Sequence, residues 1–382
     1  MAGSDAADRN ALTDPWAALR ADLRRVVVEA GLGRHEEALL GAARPALRLV
    51  AEDATKRAPV VPAAPGSDDA RRAQRAPLEA RIDGPTRAFG RTRLGGVPDV
   101  PEGFRWPTRR RTRVRYGDRI EAGAPLSFVA QINLAELPPV DGAETRLPTR
   151  GMLWFFYDAR FLAYDADDAD GFRVVYSGAG PDDLRRAEVP EGPGTPGDAD
   201  PFEVFDPVVL APRAELSLPS PNTDPDRGLG LPLDPVEDED GSKAYYEMVE
   251  RWDLVGAEAQ VSTSADEPPT LPPPGHRVMG WPLLIQNDNM EAECEASTRR
   301  DEGVLGRLGD AVRSATAGGS REDEGRAFER AARDSWQLLL QVDSDDAAGM
   351  MWGDSGLLYF WIRKDDLAAR RFERVWCAMQ CC

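Results

Sequence analysis

The sequence predicts an α+β protein in which a β-rich domain is duplicated within one chain, preceded by a helical segment and flanked by peripheral helices. Three observations predict it. A helix-period run near the N-terminus gives way to strand-period segments from Arg91 onward. Four of the later segments recur in the same order with matching side chains. An apolar fraction of 42%, with nine Trp and twelve Phe in 382 residues, is enough for one large packed core or two ordinary ones.

The first element opens on Thr13-Asp14-Pro15, a side-chain cap followed by Pro at the first helical position. Trp16, Leu19, Leu23, Val26, Val27 and Ala30 then repeat at helical spacing until Gly31. A second short helix is expected over 35–43 and a strand over 46–50, so residues 1–53 read as an N-terminal helical segment with a first strand. Residues 54–80, rich in Ala, Pro and Arg, read as a linker, and 81–382 as the duplicated domain. Leu126–Leu134 alternates: Leu126, Phe128, Ala130, Ile132 and Leu134 on one face, Ser127, Val129, Gln131 and Asn133 on the other. Met152–Tyr157 is an unbroken apolar run, as in a strand buried on both faces. Between the halves (81–180 and 276–382), residues 178–260 read as an excursion, irregular over 178–240, where Pro, Gly and Asp are dense. Helices are expected over 242–252 and over 320–334, the latter from the capping-box pattern Ser320-x-x-Asp323. A stiff Pro-rich connector covers 268–274.

The repeat carries the most information. Gly96-Val97-Pro98 precedes the strand containing Gln131, then Gly151 with its aromatic strand, then Phe172–Tyr176. Gly280-Trp281-Pro282 precedes the strand containing Gln341, then Gly356 with its aromatic strand, then Phe372–Trp376. Val129 and Leu339 occupy matching places, as do Ser127 and Gln337.

Several of these runs resemble the YwqG family of bacterial proteins: Leu94-Gly95-Gly96-Val97-Pro98 through Trp106-Pro107, Leu126–Leu134, His276–Gln286, Met351-Trp352-Gly353-Asp354-Ser355-Gly356 and Trp376–Cys381. The resemblance spans roughly residues 35–382. It implies duplicated β-rich halves and no established activity. It also implies a binding or immunity-type role, since members are often encoded near secreted toxins. The long 178–240 excursion departs from the shorter members.

Charge and cysteine usage narrow the classes. A formal charge of −19 disfavours general binding to nucleic acid. Met1–Thr13 has no apolar signal core, and no stretch approaches the roughly 20 apolar residues of a membrane helix. Cys294, Cys377, Cys381 and Cys382 include no C-x-x-C pair, so a reducing cytoplasm with free thiols is expected.

Tempting chemistries fail on their requirements. Gly353-Asp354-Ser355-Gly356 copies a serine-protease tetrad, yet the chain has only His35 and His276, neither in a protease-like context. Asp343, Asp345, Asp346 and Asp354 miss the EF-hand positions because Ala347 and Ala348 stand where a ligand and Gly are needed. The Asp165, Asp167, Asp168 and Asp170 cluster fails similarly. Solvated turns explain both clusters, with magnesium held by one or two carboxylates as the alternative; no metal site and no cofactor are expected.

Two candidate surfaces remain. Arg109, Arg111, Arg113 and Arg115 share one face if 109–116 is extended, a reversal of the overall charge. They suit an acidic partner or phosphate and are expected to be exposed, because burying unpaired charge is costly. The second set is Gln131, Asn133, Gln341 and Asp343, with Trp352 and Asp354 near the mouth of a shared cleft. The competing structural role gives each Gln amide to the backbone of its neighbouring Gly-x-Pro turn. The function expected is a non-enzymatic intracellular protein-binding module with an acidic protein partner, of the immunity or accessory kind. The alternative is a small-ligand binder or enzyme with a site between the halves.

Overall fold

A computed structural model describes residues 15–52, 89–115, 118–139, 147–160, 169–191, 202–220, 239–258, 274–301 and 321–381. The expected linker, the Ser320 cap, most of the Pro-rich connector and the Asp165–Asp168 cluster lie outside them. Among them, no helix is long and apolar enough to cross a membrane.

Helix α1 (Pro15–Glu29) starts on Pro15 and stops before Gly31, whose φ of 77° few other residues adopt. Its apolar stripe buries Trp16, Leu23 and Val27. Helix α2 (Glu36–Ala42) follows and leads into β1 (Arg44–Ala51). The first arm of the sheet is β2 (Arg93–Leu94), β6 (Ser127–Asn133), β7 (Met152–Tyr157) and β8 (Phe172–Ser177). Two small pairs flank it: β3 (Asp99–Pro101) with β9 (Leu184–Arg186), and β4 (Arg113–Arg115) with β5 (Asp118–Ile120). Strand β10 (Val208–Ser217) and helix α3 (Glu239–Glu258) follow. The second arm is β11 (Arg277–Val278), β12 (Trp336–Asp343), β13 (Leu357–Arg363) and β14 (Trp376–Gln380), with α4 (Met290–Asp301), α5 (Arg321–Ser335) and α6 (Lys364–Ala368) inserted.

These strands form one ten-stranded sheet in the order β14-β13-β12-β11-β1-β10-β2-β6-β7-β8. Each reported pairing is antiparallel. The sheet curls into a nearly closed barrel, so its two arms face one another across an aromatic seam. Phe155 packs on Phe360 (ring centroids 5.0 Å), Tyr157 on Trp352 (5.8 Å), Phe172 on Trp376 (5.2 Å) and Tyr176 on Phe372 (5.0 Å). Aromatic pairs at such separations add to the stabilisation from area burial.

Three expectations change. Residues 15–52 are not a separate helical segment, because β1 lies at the centre of the sheet, between β11 and β10. Part of the expected irregular excursion is β10, the ten-residue partner of β1. Pro212 disguises it, since Pro argues against a central strand. It is tolerated because β2 pairs with β10 only at Val208 and Val209, leaving the Pro212 edge open on that side. Finally, strict alternation in β6 breaks at a bulge between Phe128 and Ala130. The extra residue, Val129, puts Phe128 in register with Phe156 and Gln131 with Trp154 on one face, while Ala130 and Ile132 turn to the opposite core. Strand β12 carries its bulge between Leu338 and Leu340, at the matching Leu339.

Candidate functional site

Both glutamines singled out by the sequence are fully buried, and each closes a turn rather than a cleft. In the first arm, Gln131 Oε1 accepts from Asp99 N (2.9 Å), and its Nε2 donates to Arg91 O (2.8 Å) and Asp99 Oδ2 (2.9 Å). In the second, Gln341 Oε1 accepts from Leu283 N (2.8 Å) and its Nε2 donates to Gly275 O (2.6 Å). The turns are Arg93-Leu94-Gly95-Gly96-Val97-Pro98 and Arg277-Val278-Met279-Gly280-Trp281-Pro282. In each, the two residues before the X-Pro step have positive φ: Gly95 (55°) and Gly96 (70°), Met279 (63°) and Gly280 (78°).

The turn Arg completes the clamp. Arg93 pairs with Gln131 and Arg277 with Gln341 in sheet register. Arg93 donates to the carbonyls of Gly95 and Val97, and Arg277 to that of Trp281 (2.9 Å). The next strand adds one donor to each turn: Trp154 Nε1 to Asp99 O (2.9 Å), and Tyr359 Oη to Leu283 O. The residue before each Arg also plays the same part. Thr92 Oγ1 accepts from Asn133 N (3.0 Å), and His276 Nδ1 accepts from Asp343 N (3.1 Å). Because His276 Nδ1 accepts, the ring proton is assigned to Nε2, which faces Asp345 Oδ2 at 3.1 Å. Both ring nitrogens are engaged, so His276 is not set up as a general base.

The remaining cleft candidates separate. Asn133 Nδ2 donates to Gly90 O (2.8 Å), and its Oδ1 accepts from Ala135 N (3.0 Å). Asp343 Oδ2 accepts from Gly275 N (2.7 Å), and Trp352 Nε1 donates to Asp343 O (3.2 Å). Trp352 is buried against Tyr157 and Phe205 rather than standing at a mouth. Asp354 is exposed in a turn. The structure therefore joins Gln131 with Asn133, and Gln341 with Asp343 and Trp352, as two clusters within separate arms. Strands β6 and β12 are separated in the sheet by β2, β10, β1 and β11.

Burial pushes the Asp343 carboxyl above its ordinary range, despite the Gly275 N–H. An acid with a raised folded pKa favours folding below its unfolded value near 4, and that contribution is lost as pH rises through the folded value. Asp343→Asn, which installs the residue of the matching position 133, keeps an acceptor for Gly275 and removes the charge. It is expected to melt higher than the wild type at pH 7 and to lose that advantage at pH 3, in melts across that range.

The Arg surface needs one correction. Arg109 is 1% exposed, not solvent-facing. Its Nε pairs with Asp158, whose other oxygen accepts from Arg160 Nε (2.7 Å), and Arg160 reaches Pro125 O (3.0 Å). The expectation failed because 109–116 is not one extended strand: Thr108 bridges to Pro125, and β4 starts only at Arg113. A buried counter-ion removes the cost that made exposure expected. Arg111 is exposed and Arg113 half-buried, while the Arg115 side chain lies outside those described.

Sequence reasoning missed a buried ion cluster at the sheet centre. Glu215 on β10 pairs through Oε2 with Arg48 and through Oε1 with Arg277. Burial alone would raise the Glu215 carboxyl, but the charges and bonds of Arg277 and Arg48 hold it below its usual range. The shared Arg-x-x-Gly-x-Pro pattern was the available signal for the Arg members. Cys294, Cys377 and Cys381 are buried free thiols, and burial pushes those of Cys294 and Cys377 up, away from reactivity. Among the described residues no group of three or more His, Cys, Asp or Glu could hold a metal ion.

One curled antiparallel sheet with a clamped turn in each arm and helices packed around it defines an α+β protein. The family model described as Domain of unknown function (DUF1963) matches residues 92–381, and the chain belongs to that family. A search of curated proteins gives no match.

Proposed function

We propose that the chain is a non-enzymatic protein-binding module that holds an acidic segment of a partner on the β4–β5 hairpin. One observation carries this reading: β4 and β5 pair with each other, outside the main sheet, and present Val114 at 61% exposure beside Arg113 and Arg119. Val114 stands across from Arg119, whose guanidinium pairs with Glu121 (2.6 Å), and with exposed Arg111 close in sequence the hairpin suits a carboxylate-rich protein segment. Following the resemblance to the YwqG family, the proposed role is of the immunity or accessory kind, in the cytoplasm. The test is capture of a stoichiometric protein partner at low salt. Reversing Arg111 and Arg113 to Glu is expected to leave the melting temperature nearly unchanged and to abolish capture, as does raising the salt. A partner indifferent to both changes removes the hairpin from the interface.

We also infer that the two arms arose by duplication. Supporting this, a two-fold axis through the Val50↔Ala211 pair carries Leu47 and Arg48 onto Val208 and Val209. These residues pair with Val278 and Arg277 and with Leu94 and Arg93, respectively. The clamps, the bulges and the strand orders then coincide. So do Gly151 and Gly356, where a Cβ would collide with the carbonyls of Ser177 and Gln380.

A further inference from the structure

On the face of the sheet that carries Arg48, Glu215 and Arg277, Arg213 lies directly across from Arg48 in the β1–β10 register. Like charges placed opposite one another across strands are destabilising. Both oxygens of Glu215 already form ion pairs, with Arg48 and with Arg277. Arg213 is exposed, and its side chain has no hydrogen-bond or ion-pair partner among the described residues. Counting those four residues, three cations surround one carboxylate. The clamp does not require this arrangement. In the other arm the strand residue beside Arg93 is Val209, and the position across from it is Glu52, whose N–H donates to Val209 O (3.0 Å). The Arg93 clamp closes there without a guanidinium on either strand residue.

We propose that this face of the β1–β10 pair is a binding site for a single oxyanion, a phosphate or a carboxylate, contacted by Arg213 and held by the field of Arg48 and Arg277. The two buried guanidinium groups contribute by charge: Arg48 Nε and Arg277 Nη2 face Glu215, and Arg277 Nη1 donates to the Trp281 carbonyl. Arg213 supplies the planar, two-pronged contact that oxyanions accept. This site is separate from the β4–β5 hairpin and stands or falls without it.

The test is thermal unfolding of the full chain at constant ionic strength, with chloride replaced stepwise by inorganic phosphate or by succinate. The wild type is expected to gain a few degrees, saturably, in at least one anion, as a ligand that binds only the folded state requires. Phosphate alone identifies a phosphoryl ligand and succinate alone a carboxylate. Arg213→Ala is expected to lose the gain and, in chloride, to melt at or above the wild type, because the opposed charges are gone. A gain that survives in Arg213→Ala overturns the proposal. So does the absence of any gain in the wild type, or an Arg213→Ala protein that melts well below it in chloride.

Discussion

Gln131→Leu is expected to cost about 3 kcal/mol of unfolding free energy, and Gln341→Leu a similar amount, read from urea titrations followed by Trp fluorescence. Leu fills much of the same space but satisfies nothing. In the first arm the substitution strips a partner from Asp99 N, Arg91 O and Asp99 Oδ2, all at a buried side chain. In the second it orphans Leu283 N and Gly275 O. Each buried polar group left unpaired costs roughly 1–3 kcal/mol. A loss below about 0.5 kcal/mol in both variants would mean that the amides do not hold the turns.

Arg277→Met is the second large effect, expected at about 3–5 kcal/mol, because it removes one partner of a buried carboxylate. Glu215 keeps Arg48, but the Trp281 carbonyl loses its bond and the sheet centre its second cation. The pH dependence checks the cause. Glu215 is held below its ordinary range, so its pairing stabilises the fold above the unfolded value near 4.3 and is lost as pH falls through the folded value. With Arg277 gone that contribution shrinks. The gap between variant and wild type is therefore expected to narrow as the pH falls below about 4. A gap constant with pH would assign the loss to packing alone.

Much of the strand content was legible because it rests on local signals. Pro15 and Gly31 bracket α1, and the apolar run Met152–Tyr157 is buried along its length in β7. The matching Gln positions were legible because a buried amide inside an apolar strand is chemically conspicuous. What failed was non-local. Strand β10 carries Pro212 and mixed polarity, and its place at the sheet centre follows from pairing with β1, whose residues lie 159 to 173 positions from their partners in sequence. The bulge at Val129 obeys no composition rule, so the face assignments inverted beyond it. Arg109 looked like part of a charged strip because its counter-ion, Asp158, is 49 residues away. Glu215 was invisible for the same reason: nothing nearby in sequence marks a carboxylate that will sit between Arg48 and Arg277.

The two glutamines are the internal ties of their turns, not the walls of a site. Hydrogen exchange of the Gln131 and Gln341 side-chain amides, assigned by selective ¹⁵N labelling and single substitution, tests this most directly. The account predicts two Nε2 resonance pairs that stay protected for hours after transfer to deuterated solvent, on a timescale set by opening of the core. Exchange of either pair at the rate of a free glutamine side chain would contradict it, because an amide that meets water freely cannot be the donor that closes its turn.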